Sequence, residues 1–154
     1  MPSDDAEAQG LYHTFGVIEN LLSSSKADIA ASSILKTDLL SYLIQSMLPP
    51  KDKPSAPSES NRFYAAELLA ILLSSDSQGT NARSLFLEKK GLDVCLQVLS
   101  GYRKRDPRGT EEVEFMENVF DLVCQCLGTE VGKKAFREDE GVELMVILMK
   151  FVHR

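Results

Sequence analysis

The chain repeats itself about every fifty residues, and that period limits the folds open to it. FGVIENLLSS (15–24), AELLAILLSS (66–75) and FDLVCQCLGT (120–129) align without gaps at offsets of 51 and 54. LLSYLIQSML (39–48), LDVCLQVLSG (92–101) and VELMVILMKF (142–151) align at offsets of 53 and 50. Two anchors recurring together describe one unit copied along the chain. A unit of this size cannot bury its apolar face alone. Stacked copies bury a continuous core, and about three copies are the minimum.

The apolar spacing is helical and almost nowhere alternates as a strand would. It predicts helices at roughly 6–23, 27–34, 38–48, 61–75, 80–89, 92–103, 110–127, 130–138 and 141–152. PSDDAEA (2–8) is polar and acidic, so its first residues are expected to fray. PPKDKPSAPSES (49–60) has four prolines among polar residues and reads as a flexible loop. RDPRG (105–109) reads as a turn, with Thr110 as N-cap and Glu111 and Glu112 in the first turn, where the helix dipole favours them. Gly91 and Gly141 separate the short and medium helices of two units, as helix C-caps prefer. Each unit is therefore a long, a short and a medium helix. Self-similarity on this scale signals an all-α, right-handed helical solenoid of the armadillo or HEAT kind. It would be one domain over 1–154, with units at about 6–48, 61–103 and 110–152, the last incomplete.

On a helical wheel, Glu114, Asn118, Asp121 and Gln125 form a narrow line flanked by Glu111 and Glu117. Apolar residues, among them Val113 and Cys124, fill an arc of about 200°, twice what a surface helix needs. FYAAELLAILL (63–73) carries Glu67 as its only charge and belongs in the middle of the stack. The apolar alignment brings three outward stripes into register by itself: Gln9, His13, Gly16 and Asn20; Ser60, Tyr64, Glu67 and Ile71; Glu114, Asn118, Asp121 and Gln125. In a solenoid these make one wall, polar to acidic, with Tyr64 as its aromatic.

The bulk numbers narrow the partners. A net charge of −6 favours basic partners over bare nucleic acid or an anionic membrane. Three Cys and no apolar signal segment after Met1 predict a reducing intracellular compartment without structural disulfides. Apolar runs such as Leu68–Leu73, which no run exceeds in length, are too short to span a bilayer.

The chemical motifs are weak. Cys124 and Cys126 point about 200° apart on a helix and cannot clamp one metal, so they read as buried core thiols. The two histidines, His13 and His153, lie at opposite ends of the chain. GTEVGKK (128–134) lacks the spacing, the Ser or Thr and the preceding strand of a phosphate loop, and reads as a helix-to-helix turn. No Ser or Cys has a nucleophile context. No enzyme, metal or cofactor is predicted. YRKRDPR (102–108) is the most basic stretch, and Arg103, Lys104, Arg105 and Arg108 offer an alternative contact to RNA phosphate or an acidic partner.

The order short helix, Gly, medium helix, long helix is that of an armadillo repeat. NRFYAAELLAILL, LEKKGLDVCLQVLSGYRKRDP, EEVEFMENVFDLVCQCL and FREDEGVELMVILMK resemble, in this order, the armadillo region of the beta-catenin-like protein 1 family. LYHTFGVIENL (11–21) resembles the preceding long helix more loosely. The resemblance implies a nuclear, non-catalytic scaffold of the pre-mRNA splicing machinery that binds basic, nuclear-localisation-like segments of partner proteins. Members of that family are much longer, so the chain reads as a fragment or a truncated relative. An uncovered third unit is expected to leave Leu144, Ile147 and Leu148 partly exposed, and self-association through that end is a third reading. The chain departs from importin-like armadillo proteins, which clamp peptides with a Trp and Asn ladder. It has no Trp; Gly16, Glu67 and Asp121 stand at the Trp positions, and of Asn20, Ile71 and Gln125 only Asn20 matches. The expected partner surface is therefore Asn20, Tyr64, Glu67, Glu114, Glu117, Asn118, Asp121 and Gln125, without an importin-type clamp.

Overall fold

The computed structural model describes residues 5–51 and 56–151. Among them are nine α-helices and no strand: α1 (Asp5–Leu22), α2 (Ala27–Leu35), α3 (Leu39–Ser46), α4 (Ala56–Leu73), α5 (Gly79–Glu88), α6 (Gly91–Ser100), α7 (Gly109–Leu127), α8 (Glu130–Glu138) and α9 (Gly141–Phe151). The fold is an all-α helical solenoid. The long helices stack in one layer, α1 on α4 and α4 on α7. The medium helices stack behind them, α3 on α6 and α6 on α9, while α3 packs on α4 and α6 on α7. Helix α4 is central, as its nearly uncharged stretch 63–73 requires. Ala65, Ala66, Leu68, Leu69, Leu72 and Leu73 are all buried.

Two faces of each long helix make the stack. Asn61, Ala65, Leu68 and Leu72 of α4 are buried on the side toward α1, where Asn61 Nδ2 donates to the Ala8 carbonyl at 2.8 Å. The next line around the helix, Arg62, Ala66, Leu69 and Leu73, is buried toward α7, where the Arg62 guanidinium lies 5.2 Å from the centre of the Phe115 ring. Arg62 also caps α3: its Nε donates to the Met47 carbonyl at 3.1 Å, and its charge is met by Glu59 at 2.8 Å. A buried arginine with those partners leaves few donors unsatisfied. Arg83 does the same at the end of α4, donating to the Leu73 carbonyl at 2.8 Å.

Several expectations are corrected. Helix α4 begins at Ala56, so the proline-rich loop is shorter than 49–60; its residues 52–55 lie outside the described residues, as do 1–4 and 152–154. The first helix, expected over 6–23, runs Asp5–Leu22, and the fraying expected at the start of 2–8 falls on residues outside the described ones. Thr110 is inside α7, whose N-cap is Arg108; its backbone N–H donates to the Glu112 carboxylate, which reaches back from the first turn. Gly91 and Gly141 are not the left-handed residues at the helix ends. Lys90 (φ 64°) and Glu140 (φ 59°) take that conformation. The glycines follow because a Cβ there would meet the Phe86 and Phe136 rings at 2.5 Å. Leu144 is buried, while Ile147 is exposed and Leu148 half-buried. Cys124 is exposed, and only Cys95 and Cys126 are core thiols. Burial pushes the Cys95 thiol up and the Cys126 thiol to about 12, which keeps both un-ionised at neutral pH. Thr129 caps α8 by accepting from the Gly132 N–H at 3.0 Å, so GTEVGKK is a helix start.

Candidate functional site: the acidic recess on the long helices

A recess of about 290 Å³ opens where α1, α4 and α7 lie side by side. Its aromatic side chains are Tyr12, Phe63, Tyr64 and Phe115, and its carboxylates are Glu19, Glu67, Glu111 and Glu114, with Ser60 and Asn118 completing it. No lysine or arginine lines it. Packing fixes the aromatics. Tyr64 stands edge-on to Tyr12 (5.2 Å between ring centres) and to Phe15 (5.9 Å), and Phe63 tilts against Phe115 at 4.8 Å. Edge-to-face pairs of this kind are worth roughly 0.5–1.5 kcal/mol beyond their buried area.

The electrostatics are unbalanced. Tyr64 donates its hydroxyl proton to the Glu19 carboxylate. Burial, that hydrogen bond and the Glu19 charge push the Tyr64 phenol well above its ordinary value, so it stays protonated as the donor. Burial and then the Glu19 and Glu114 carboxylates push the Glu67 carboxyl up as well. A carboxylate crowded by like charges is stabilised by an external cation. The recess is therefore a cation-seeking surface with ring faces and edges beside its carboxylates, the combination that holds guanidinium or ammonium groups.

Four of the eight anticipated surface residues, Tyr64, Glu67, Glu114 and Asn118, come together here. The other four do not. Asn20 and Asp121 are exposed outside the recess. Gln125 is engaged by Arg83 Nη1 at 3.3 Å and reaches Ser74 at 3.5 Å. Glu117 lines a different groove, toward α9. The stripe alignment missed Glu19, Tyr12 and Phe63. Glu19 carried a signal, since it is the only charge in FGVIENLL, as Glu67 is in FYAAELLAILL.

The basic turn is partly neutralised. Arg105 Nη2 lies 2.5 Å from Glu112, its guanidinium stacks 4.7 Å from the Tyr102 ring centre, and the Tyr102 hydroxyl donates to Glu112 at 2.9 Å. The Arg105 hydrogen bond above all holds the Glu112 carboxyl down at about 2. Arg103, Lys104 and Arg108 remain exposed. Among the described residues no group of three or more His, Cys, Asp or Glu is placed to hold a metal ion, and no helix is long and apolar enough to cross a membrane.

Stacked long helices with a shared wall are what an armadillo array presents, and the comparison with known proteins decides which array. The family model described as "Catenin-beta-like, Arm-motif containing nuclear" matches residues 2–153. The chain belongs to the catenin-beta-like family. It is 32% identical over 144 residues to beta-catenin-like protein 1 of Homo sapiens, covering 94% of this chain and 24% of that protein. The corresponding figures for the Schizosaccharomyces pombe homolog are 33% over 148 residues, 96% and 25%. The Rattus norvegicus protein matches at 32% over 144 residues, 94% and 24%. The chain thus spans about a quarter of the length of these relatives. The family is described as nuclear and Arm-motif containing, which makes an armadillo-type nuclear scaffold the coarse reading of this chain.

Proposed function

We propose that the chain is a non-catalytic armadillo scaffold of the nuclear splicing machinery that holds basic segments of partner proteins in the α1–α4–α7 recess. The observation that carries this reading is the set of four carboxylates beside four aromatics with no basic residue among them. Exposed charge pairs contribute about 0–1 kcal/mol each, so binding is modest and weakens as salt rises. The splicing context rests on the family resemblance. The recess supports only the chemistry of the ligand, a lysine- or arginine-rich segment without an importin-type Trp slot. The alternative contact through the turn at 102–108 is weaker, because Arg105 is already committed to Glu112 and Tyr102.

The test is chemical-shift mapping of the chain with a Lys/Arg-rich peptide at low salt. Perturbations should centre on Tyr12, Tyr64, Glu67 and Asn118. Perturbations confined to other surfaces, or none, would reject the site.

A further inference from the structure

The short helices leave a groove that shares no residue with the recess. About 540 Å³ opens between α5, the start of α6 and α8. Both walls belong to the second and third units, inside the chain, so the groove does not depend on where the stack begins or ends. Leu87, Leu92, Val131 and Ala135 give it an apolar lining. Glu88, Asp93, Glu138 and Asp139 stand around them, with Lys90 as the cation of the lining.

The repeat itself does not demand this groove. At the preceding junction the turn at 74–78 reaches α2, where the Ser77 hydroxyl donates to the Asp28 carboxylate. The corresponding turn, 128–129, is shorter. Its Thr129 hydroxyl is used locally, donating to the Cys126 carbonyl at 2.9 Å and accepting from the Gly132 N–H at 3.0 Å. The offset of 50 that sets Phe86 on Phe136 and Gly91 on Gly141 puts Asn81 on Val131. A polar residue of α5 is thus replaced on α8 by a valine that is 69% exposed, among exposed neighbours that are all charged. Helix propensity does not favour valine there.

The rim is acidic. Asp93, at the start of α6, and Asp139, at the end of α8, meet across the groove. Burial, then the charge and hydrogen bond of Asp139, push the Asp93 carboxyl up, and Lys90, 3.9 Å from Asp93, offsets this only in part. An incoming cation relieves such crowding.

We infer that the α5–α8 groove docks a partner segment that carries an apolar side chain, such as leucine, between flanking lysines or arginines. The apolar side chain covers Leu87, Val131 and Ala135. The cations answer Glu88, Glu138 and the Asp93–Asp139 pair. The volume lies within the range of clefts that bury ligand-sized groups. The ligand differs from that of the recess, where carboxylates and rings face cations and no aliphatic side chain lines the surface.

Methyl-resonance mapping of the 154-residue chain tests this, with affinity read from the groove methyls. The probe is a short lysine–leucine–leucine–lysine peptide. It should shift the methyls of Leu87, Val131 and Ala135. Controls with serine for leucine, or glutamate for lysine, should bind there at least about fivefold more weakly. Val131→Asn, which restores the residue of α5, should also weaken binding at least about fivefold, as should Glu88→Lys plus Glu138→Lys. These three positions are exposed, and circular dichroism checks each fold. If Val131→Asn unfolds, Val131→Ser replaces it. The recess reversal Glu67→Lys plus Glu114→Lys should leave the groove shifts unchanged, so the two surfaces stand or fall separately. A probe that moves no groove methyl overturns the inference. So does equal binding by either control peptide, or groove variants that bind as the wild type does.

Discussion

The Tyr64 hydroxyl on α4 donates to the Glu19 carboxylate on α1, 45 residues away in sequence. This bond joins two stacked helices within the recess and occupies the Tyr64 donor. Tyr64→Phe keeps the ring contacts with Tyr12 and Phe15 and deletes only that bond. A hydrogen bond to a charged group contributes about 1.5–3 kcal/mol, and partial exposure here points to the low end. The urea midpoint should fall with an unchanged slope. Affinity for a basic peptide should hold or rise, since Glu19 is released.

Glu67 should show a trade of stability against binding. Burial and the neighbouring carboxylates raise its folded-state pKa above the ordinary 4.5. A raised carboxyl binds its proton more tightly folded than unfolded. It therefore contributes stability below its unfolded pKa, and that stability is lost as pH rises through the folded value. At neutral pH Glu67→Gln should raise the urea midpoint slightly while weakening basic-peptide binding. A substitution that lowered stability and left binding intact would contradict this assignment.

Glu112 runs the other way. Its carboxyl is held at about 2, down from 4.5, first by Arg105. The stability this gives is full above pH 4.5 and is lost as pH falls toward 2. Arg105 is half-exposed, so Glu112→Gln should cost about 1–3 kcal/mol at neutral pH. The gap between wild type and variant should close at the acid end, as measured by urea unfolding over pH.

The junctions between short and medium helices predict an inversion of the usual rule. Lys90→Gly relieves a left-handed residue and should stabilise the fold by up to about 1 kcal/mol. Gly91→Ala drives a methyl into the Phe86 ring and should cost about 1–3 kcal/mol. Thermal unfolding of the two variants gives opposite shifts in Tm if the phenylalanine contact, and not backbone freedom, fixes the glycine.

Much of this fold was legible because a stacked repeat writes its core twice. The apolar anchors at 15–24, 66–75 and 120–129 located the long helices, and their alignment predicted which residues share a face. Boundaries failed where a partner, not a local preference, sets them. Ala56 through Ser60 join α4 despite Pro57, which the first turn of a helix tolerates. In α7, Glu112 reaches back to the Arg108 N–H and starts the helix before Thr110. The recess was half legible. Equivalent positions follow from the period, which is how Tyr64, Glu67 and Glu114 were found. Which flank of each stripe closes on its neighbour depends on packing, and that choice brought in Glu19 and Tyr12 and left Asp121 and Glu117 outside.

The central claim is that the α1–α4–α7 recess reads a basic segment, and charge reversal within it is the most direct measurement. A fluorescent Lys/Arg-rich peptide is titrated at low and moderate salt against the wild-type chain, Glu67→Lys plus Glu114→Lys, and Asp121→Lys. Wild type and Asp121→Lys should bind with similar, salt-sensitive affinity, while the double reversal, folded by circular dichroism, should lose at least about tenfold, or 1.4 kcal/mol. Equal binding by all three proteins, or loss with Asp121→Lys alone, would contradict the account.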